Sequence, residues 1–137
     1  MSMSISRVQY FYTTVKDKPG EAYNFLERLC AAGVNLLAFN AIPMGPELTQ
    51  LVVYPEHTDV FRNAVRIAGF ALTGPHDAFL IQGDDQLGAF AEIHRKLFEE
   101  NINVSASGGV TDGRGGYGYT IWVRPDDFDK AARALGV

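Results

Sequence analysis

Residues 17–36, DKPGEAYNFLERLCAAGVNL, read as a turn, a helix and the start of a strand, and the same plan returns at residues 85–104, DQLGAFAEIHRKLFEENINV. Gly20 is matched by Gly88, Arg28 by Lys96, Leu29 by Leu97 and Asn35 by Asn103, each at a spacing of 68 residues without a gap. A fixed period over a supersecondary unit marks an internal repeat. In each copy a turn containing Asp and Gly opens an amphipathic run. The run ends before a β-branched, Asn, apolar triplet, Val34-Asn35-Leu36 in one copy and Ile102-Asn103-Val104 in the other.

Working outward, residues 7–16 (RVQYFYTTVK) are rich in β-formers and end at the DKPG turn, which predicts a strand. Its aromatics fall on both faces, as expected of an interior strand. Asp17 is the predicted N-cap, with Pro19 in the first helical turn. Ala22, Phe25, Leu26, Leu29 and Cys30 follow a helical stripe, which predicts that the Cys30 thiol is buried, and Gly33 is the expected stop. Residues 34–44 and 48–54 predict a hairpin of two strands, 57–68 a second helix and 70–73 a short fourth strand. The second copy repeats this with a strand at 77–82, a helix at 86–100, hairpin strands at 102–110 and 117–124, and a helix at 128–135. Residues 136–137 leave no room for a fourth strand.

The order βαββαβ predicts an α+β protein of two ferredoxin-like modules in tandem, at 1–75 and 76–137. Each has an antiparallel sheet with its helices on one face, and the second lacks a fourth strand of its own. That would leave the strand at 77–82 with an open apolar edge, and such edges are paired or covered. A homodimer in which a neighbouring chain completes the sheet is the expectation.

Composition narrows the function classes. With 137 residues, 47% apolar and 20% charged, the chain suits one domain or two small ones sharing a core. No apolar run is long enough to span a membrane, and residues 1–6 lack the features of a secretory signal. One cysteine excludes an internal disulfide, so a reducing cytoplasm is expected. A net charge of −4 without a basic cluster argues against a nucleic-acid surface.

A strand running into D-x-P-G, then a helix, then Gly33-Val34-Asn35-Leu36 resembles the ACT domain, and the whole chain resembles free-standing tandem ACT proteins. The resemblance implies a regulatory module that binds a free amino acid or similar small effector at the interface between paired modules. It implies no cofactor, and its output would be read by an enzyme partner of unspecified identity. By position, the implied ligand-binding residues are Asp17, Lys18, Pro19 and Gly20 with Asn35, and Asp85, Gln86, Leu87 and Gly88 with Asn103. A helix N-terminus suits a ligand carboxylate, glycine permits close approach, and asparagine offers both a donor and an acceptor. Asp17 and Asp85 can equally be plain caps, and the glycines plain turn residues. The second loop has Leu87 in place of Pro and adds Asp84 to Asp85, so a carboxylate ligand should prefer the first loop. The acidic pair could instead hold an ammonium group, or simply be solvated.

Other features read as structural. Gly113, Gly115 and Gly118 satisfy G-x-G-x-x-G, but a strand follows them, so they mark a hairpin loop. His94 on a core-facing stripe is expected to be partly buried and hydrogen-bonded rather than a metal ligand. Trp122 is expected in a core or an interface. The small residues 105–109 (SASGG) replace the bulkier 37–41 (LAFNA), leaving room either for a ligand or for a neighbouring subunit. No catalytic set is visible and no enzyme is expected. Two alternatives remain: a ligand-free oligomerisation or docking module, and a metalloenzyme of the vicinal-oxygen-chelate type, which would have a strand where residues 58–68 predict a helix.

Overall fold

The computed structural model describes residues 3–137. Met1 and Ser2, part of the stretch judged to carry no signal, lie outside the described residues. In order, the elements are β1 (Met3–Lys16), α1 (Glu21–Ala31), β2 (Leu36–Pro43), β3 (Leu48–Pro55), α2 (Thr58–Ala68), β4 (Thr73–Asp84), α3 (Ala89–Glu99), β5 (Val104–Thr111), β6 (Gly116–Val123) and α4 (Phe128–Leu135). The helix at Thr58–Ala68 is the element that the vicinal-oxygen-chelate order does not have. The chain divides into two compact units. One is Gln9–His76, and the other is Asp77–Val137 together with the described part of Met1–Val8. These units differ from the modules predicted at 1–75 and 76–137 chiefly in the first eight residues.

In the unit Gln9–His76, β3 pairs antiparallel with both β1 and β2, placing Phe11 and Phe39 on either side of Val53. Strand alternation sends Leu51 and Val53 to the face covered by α1 and α2. There they meet Phe25 and Leu29 of α1 and Phe61 of α2, all nearly inaccessible. Burying one such side chain contributes about 1.5–3 kcal/mol. α1 buries only Phe25 and Leu29 fully, so its buried stripe is narrower than predicted. Cys30 is exposed, contrary to the prediction, because one further residue turns it about 100° away from Leu29. The end of α1 follows expectation: Gly33 takes a φ of 79°, and Val34 N–H reaches back to the Leu29 carbonyl.

The unit containing Asp77–Val137 repeats the plan. β6 pairs antiparallel with β4 and β5, and Ile121 lies between Phe79 and Ser107. Ile93 and Leu97 of α3 and Ala131, Ala132 and Leu135 of α4 close the core against Phe79, Ile81 and Ile121. Among the described residues α4 is the last element.

The strand predicted over 7–16 begins at Met3, and this extension corrects the expectation about the open edge. β1 lies beside β4. Within this unit Met3 and Ile5 pack against the cluster around Phe79 and Ile81. Arg7 donates to the Val137 carbonyl at 3.0 Å, and its guanidinium sits 5.9 Å from the Phe128 ring centre. Residues 3–8 therefore stand where the fourth strand of the second repeat would be, and the edge is closed without a neighbouring chain. A second correction concerns the short strand predicted at 70–73: only Thr73 is in a strand, as the first residue of β4, which runs on through the strand predicted at 77–82, while Phe70 and Leu72 lie outside it, packed on the core of the unit Gln9–His76.

Ile5→Ala should lower the stability of the Asp77–Val137 unit by about 1–2 kcal/mol, as expected when a half-buried aliphatic side chain is truncated. Urea unfolding followed by Trp122 fluorescence measures this. An unchanged midpoint would mean that residues 3–8 do not hold the edge.

Candidate functional site

Gly20 and Gly88 immediately precede α1 and α3, with φ of 90° and 81°, and neither helix has a side-chain cap. Asp17 and Asp85 are therefore not N-caps, and Pro19 lies before the helix rather than in its first turn. A left-handed residue at the cap position suits glycine, and the carboxylates three residues earlier stay in the loop. Asp17, Lys18, Pro19 and Gly20 are all exposed, as are Asp85, Gln86, Leu87 and Gly88. Each loop is tied to the neighbouring hairpin by its backbone: Asp17 N–H to the Glu47 carbonyl and Asp85 N–H to the Gly115 carbonyl, both 2.8 Å. Lys18 Nζ stands 3.7 Å from half-buried Glu21 and is itself exposed, which leaves the ammonium available to solvent.

Asn35 and Asn103 are exposed at the heads of β2 and β5. They do not meet the loops of their own unit. The Asn35 carbonyl accepts from Glu56 N–H beyond the end of β3, whereas Asp17 is held at Glu47 before its start. In the second repeat Val104 pairs with Val123 at one end of β6, and Asp85 is held at Gly115 beside the other. A strand of 8 residues separates loop from asparagine in each case, roughly 25 Å at about 3.3 Å per residue.

Two open depressions lie on the Asp77–Val137 unit. The first, of about 650 Å³, is formed by Asp85, Gln86, Leu87 and Gly88 with Ala89, Phe90 and Ala91, so it contains every residue of the second predicted loop. Leu87 stands fully exposed at its lip. The Phe90 ring stacks on Tyr119 at 4.4 Å and meets Tyr117 edge-on at 5.2 Å. Burial, and then the negative charge of Asp84, push the Tyr117 phenol above its ordinary range. The second depression, of about 450 Å³, contains Asn103 with His94, Phe98, Ser105 and Ser107 among its lining. His94 is half-buried with Nε2 2.7 Å from the Tyr119 hydroxyl, as the sequence predicts for a hydrogen-bonded histidine. His94, Ser105 and Ser107 are not among the predicted site residues. The signal available was their departure from the first copy.

The turn between β5 and β6, where Gly113 and Gly115 lie, is a hairpin loop as predicted. It supports the second candidate loop. The Asp112 carboxylate accepts Arg114 N–H at 2.6 Å and Gly116 N–H at 3.1 Å, shaping the turn whose Gly115 carbonyl holds Asp85. Those two N–H groups, Arg114 first, keep the Asp112 carboxyl below the ordinary aspartate range.

Among the described residues no group of three or more His, Cys, Asp or Glu is placed to hold a metal.

No family model matches the sequence, and no curated protein matches it. Solved structures do match. Protein BT0572 from Bacteroides thetaiotaomicron aligns with a TM-score of 0.82 at 17% identity, covering 96% of this chain and 88% of that one. The ligand-free regulatory subunit of aspartate kinase from Thermus thermophilus gives 0.65 at 14%, covering 98% and 94%. Aspartokinase alpha and beta subunits give 0.64 at 17%, covering 98% and 95%. At such identities the likeness is one of fold.

A carboxyl with a depressed folded-state pKa stabilises the fold above its unfolded pKa, and that contribution is lost as pH falls through the folded value. Protection of the Arg114, Gly116 and Asp85 amides, taken relative to their intrinsic exchange, should therefore fall together below the ordinary aspartate range, and Asp112→Asn should show the weaker protection already at neutral pH. Exchange at Asp85 that ignores both changes would separate the turn from the loop. In the order of its elements, the register of its strands and its likeness to aspartate kinase regulatory subunits, the chain has the fold of two ferredoxin-like ACT-type modules in tandem.

Proposed function

We propose that the protein is a regulatory binding module, not an enzyme, and that its ligand is a free amino acid or similar small effector held where modules of two copies of the chain pair. One observation carries the reading: each repeat has a helix-N-terminal loop and a strand-heading asparagine at opposite ends of an 8-residue strand. A single module thus presents two half-sites about 25 Å apart, and an amino-acid headgroup spans only a few ångströms. The loop suits the carboxylate through free N–H groups and the positive end of the helix dipole. The asparagine suits the ammonium and carboxylate edges through its carbonyl and amide. Fully exposed Leu87 in the loop of the second repeat fits a surface that another module covers. The fold shared with a protein described as a regulatory subunit supports the same class.

The cellular setting consistent with this reading is the cytoplasm. Among the described residues no helix is long and apolar enough to cross a membrane. Because the strand edge beside β4 is closed within the chain, dimerisation rests here on completing the half-sites rather than on mending a sheet.

A thermal-shift panel of free amino acids and related metabolites tests the proposal, since a ligand at one hundred times its dissociation constant adds about 2.7 kcal/mol. At least one small amino acid should raise the melting temperature. Gly20→Asp places a negative charge where the ligand carboxylate sits and should abolish the rise. Gly20→Asn should retain most of it, because asparagine tolerates the φ of 90° found there without adding charge. Asn103→Ala should also lose it. Light scattering should report a particle twice the 15.0 kDa of the chain. A panel without any shift would leave the docking-module reading, and a monomer that still binds ligand would remove the paired site.

A further inference from the structure

The two repeats provide an internal comparison. At the 68-residue spacing, Leu26 of the first copy is matched by His94, Leu37 by Ser105 and Phe39 by Ser107. Three apolar side chains have become three that carry hydrogen-bonding groups. The fold does not demand them, since Phe39 packs against the core of its own unit at the corresponding place. In the Asp77–Val137 unit all three line the depression that holds Asn103, with Phe98, Ile102, Val104 and Ala106 as its apolar part.

The imidazole is held in place. His94 Nε2 meets the Tyr119 hydroxyl at 2.7 Å, which orients the ring and leaves Nδ1 as its second hydrogen-bonding atom. The Tyr119 ring in turn lies over Gly109, where an added Cβ would stand 2.2 Å from its Cδ1. The first copy has Ala41 at that position. Gly109, Tyr119 and His94 thus form one packed sequence of contacts leading to the depression.

We propose that this depression reads the side chain of the ligand, and that the ligand is an α-amino acid with an uncharged hydrogen-bonding side chain, a hydroxyl or a carboxamide. The inference rests on the reading that an amino acid binds at all. No Asp, Glu, Lys or Arg is among the residues that line the depression, so an ionised side chain would meet no opposite charge. Two hydroxyls, an amide and an imidazole supply both donors and acceptors, and an apolar side chain would leave them unpaired.

The test replaces the three residues by those of the first copy, His94→Leu, Ser105→Leu and Ser107→Phe together, and titrates both proteins calorimetrically with L-serine, L-threonine, L-asparagine, L-glutamine, L-leucine and L-valine. The wild type should bind at least one of the four polar amino acids roughly tenfold tighter than leucine or valine, the worth of about one net hydrogen bond. Amide resonances of Asn103, Ser105 and Ser107 should shift on binding. The triple variant should lose the preference. If it does not fold, His94→Gln and Ser107→Ala carry the same comparison. A preference that survives the substitutions, or a wild type that favours leucine or valine, overturns the inference and leaves ligand binding intact. A wild type that binds none of the six also overturns it, and only one unresponsive to the full metabolite panel overturns the reading beneath it.

Discussion

The structure depends on pairing both edges of one apolar strand. The centre of β4 is Ala78-Phe79-Leu80-Ile81, and with β6 on one side only, its other row of backbone N–H and C=O groups would face water beside buried side chains. Backbone groups must be paired or hydrated, and an apolar strand is a poor place to hydrate them. Residues 3–8 resolve this by continuing β1 backwards to lie beside β4. Arg7 anchors the segment at the Val137 carbonyl, and Met3 and Ile5 put their side chains into the core. The second repeat can therefore do without a fourth strand of its own.

The same closure changes how the site is understood. With the edge paired inside the chain, a second copy is not needed to finish a sheet. What a second copy would complete is the proposed contact set around a ligand, because each repeat keeps its loop and its asparagine at opposite ends of a strand. In the proposed site the helical N-termini would attract the carboxylate, and they are preceded by glycines that leave them without a side-chain cap. The difference between repeats then lies in the second half-site, where His94, Ser105 and Ser107 replace packed hydrocarbon.

The backbone plan was legible because periodicity reports burial directly. The spacing of Phe25 and Leu29, repeated at Ile93 and Leu97, located both first helices, and short hairpins located the antiparallel pairs. Errors came where local rules met a constraint from elsewhere. Asp17 and Asp85 looked like caps, but the left-handed glycines after them take that place. Cys30 fitted a helical stripe, but the sheet covers too narrow an arc to reach it. The sequence predicts a short strand at 70–73 and another at 77–82, yet a single strand, β4, runs from Thr73 to Asp84.

By itself the sequence determined the repeat and the βαββαβ order, since these follow from local conformational preference and from the period of apolar residues. The tertiary structure alone decided that residues 3–8 form a strand and serve the second repeat. Their pattern, Met-Ser-Ile-Ser-Arg-Val, alternates too briefly to announce a partner more than seventy residues away. It also decided that His94, Asn103, Ser105 and Ser107 share one depression, because that proximity depends on packing α3 against β5 and on a glycine at position 109 that makes room for Tyr119. Contacts between residues distant in sequence are set by packing of the whole, and no local pattern encodes them.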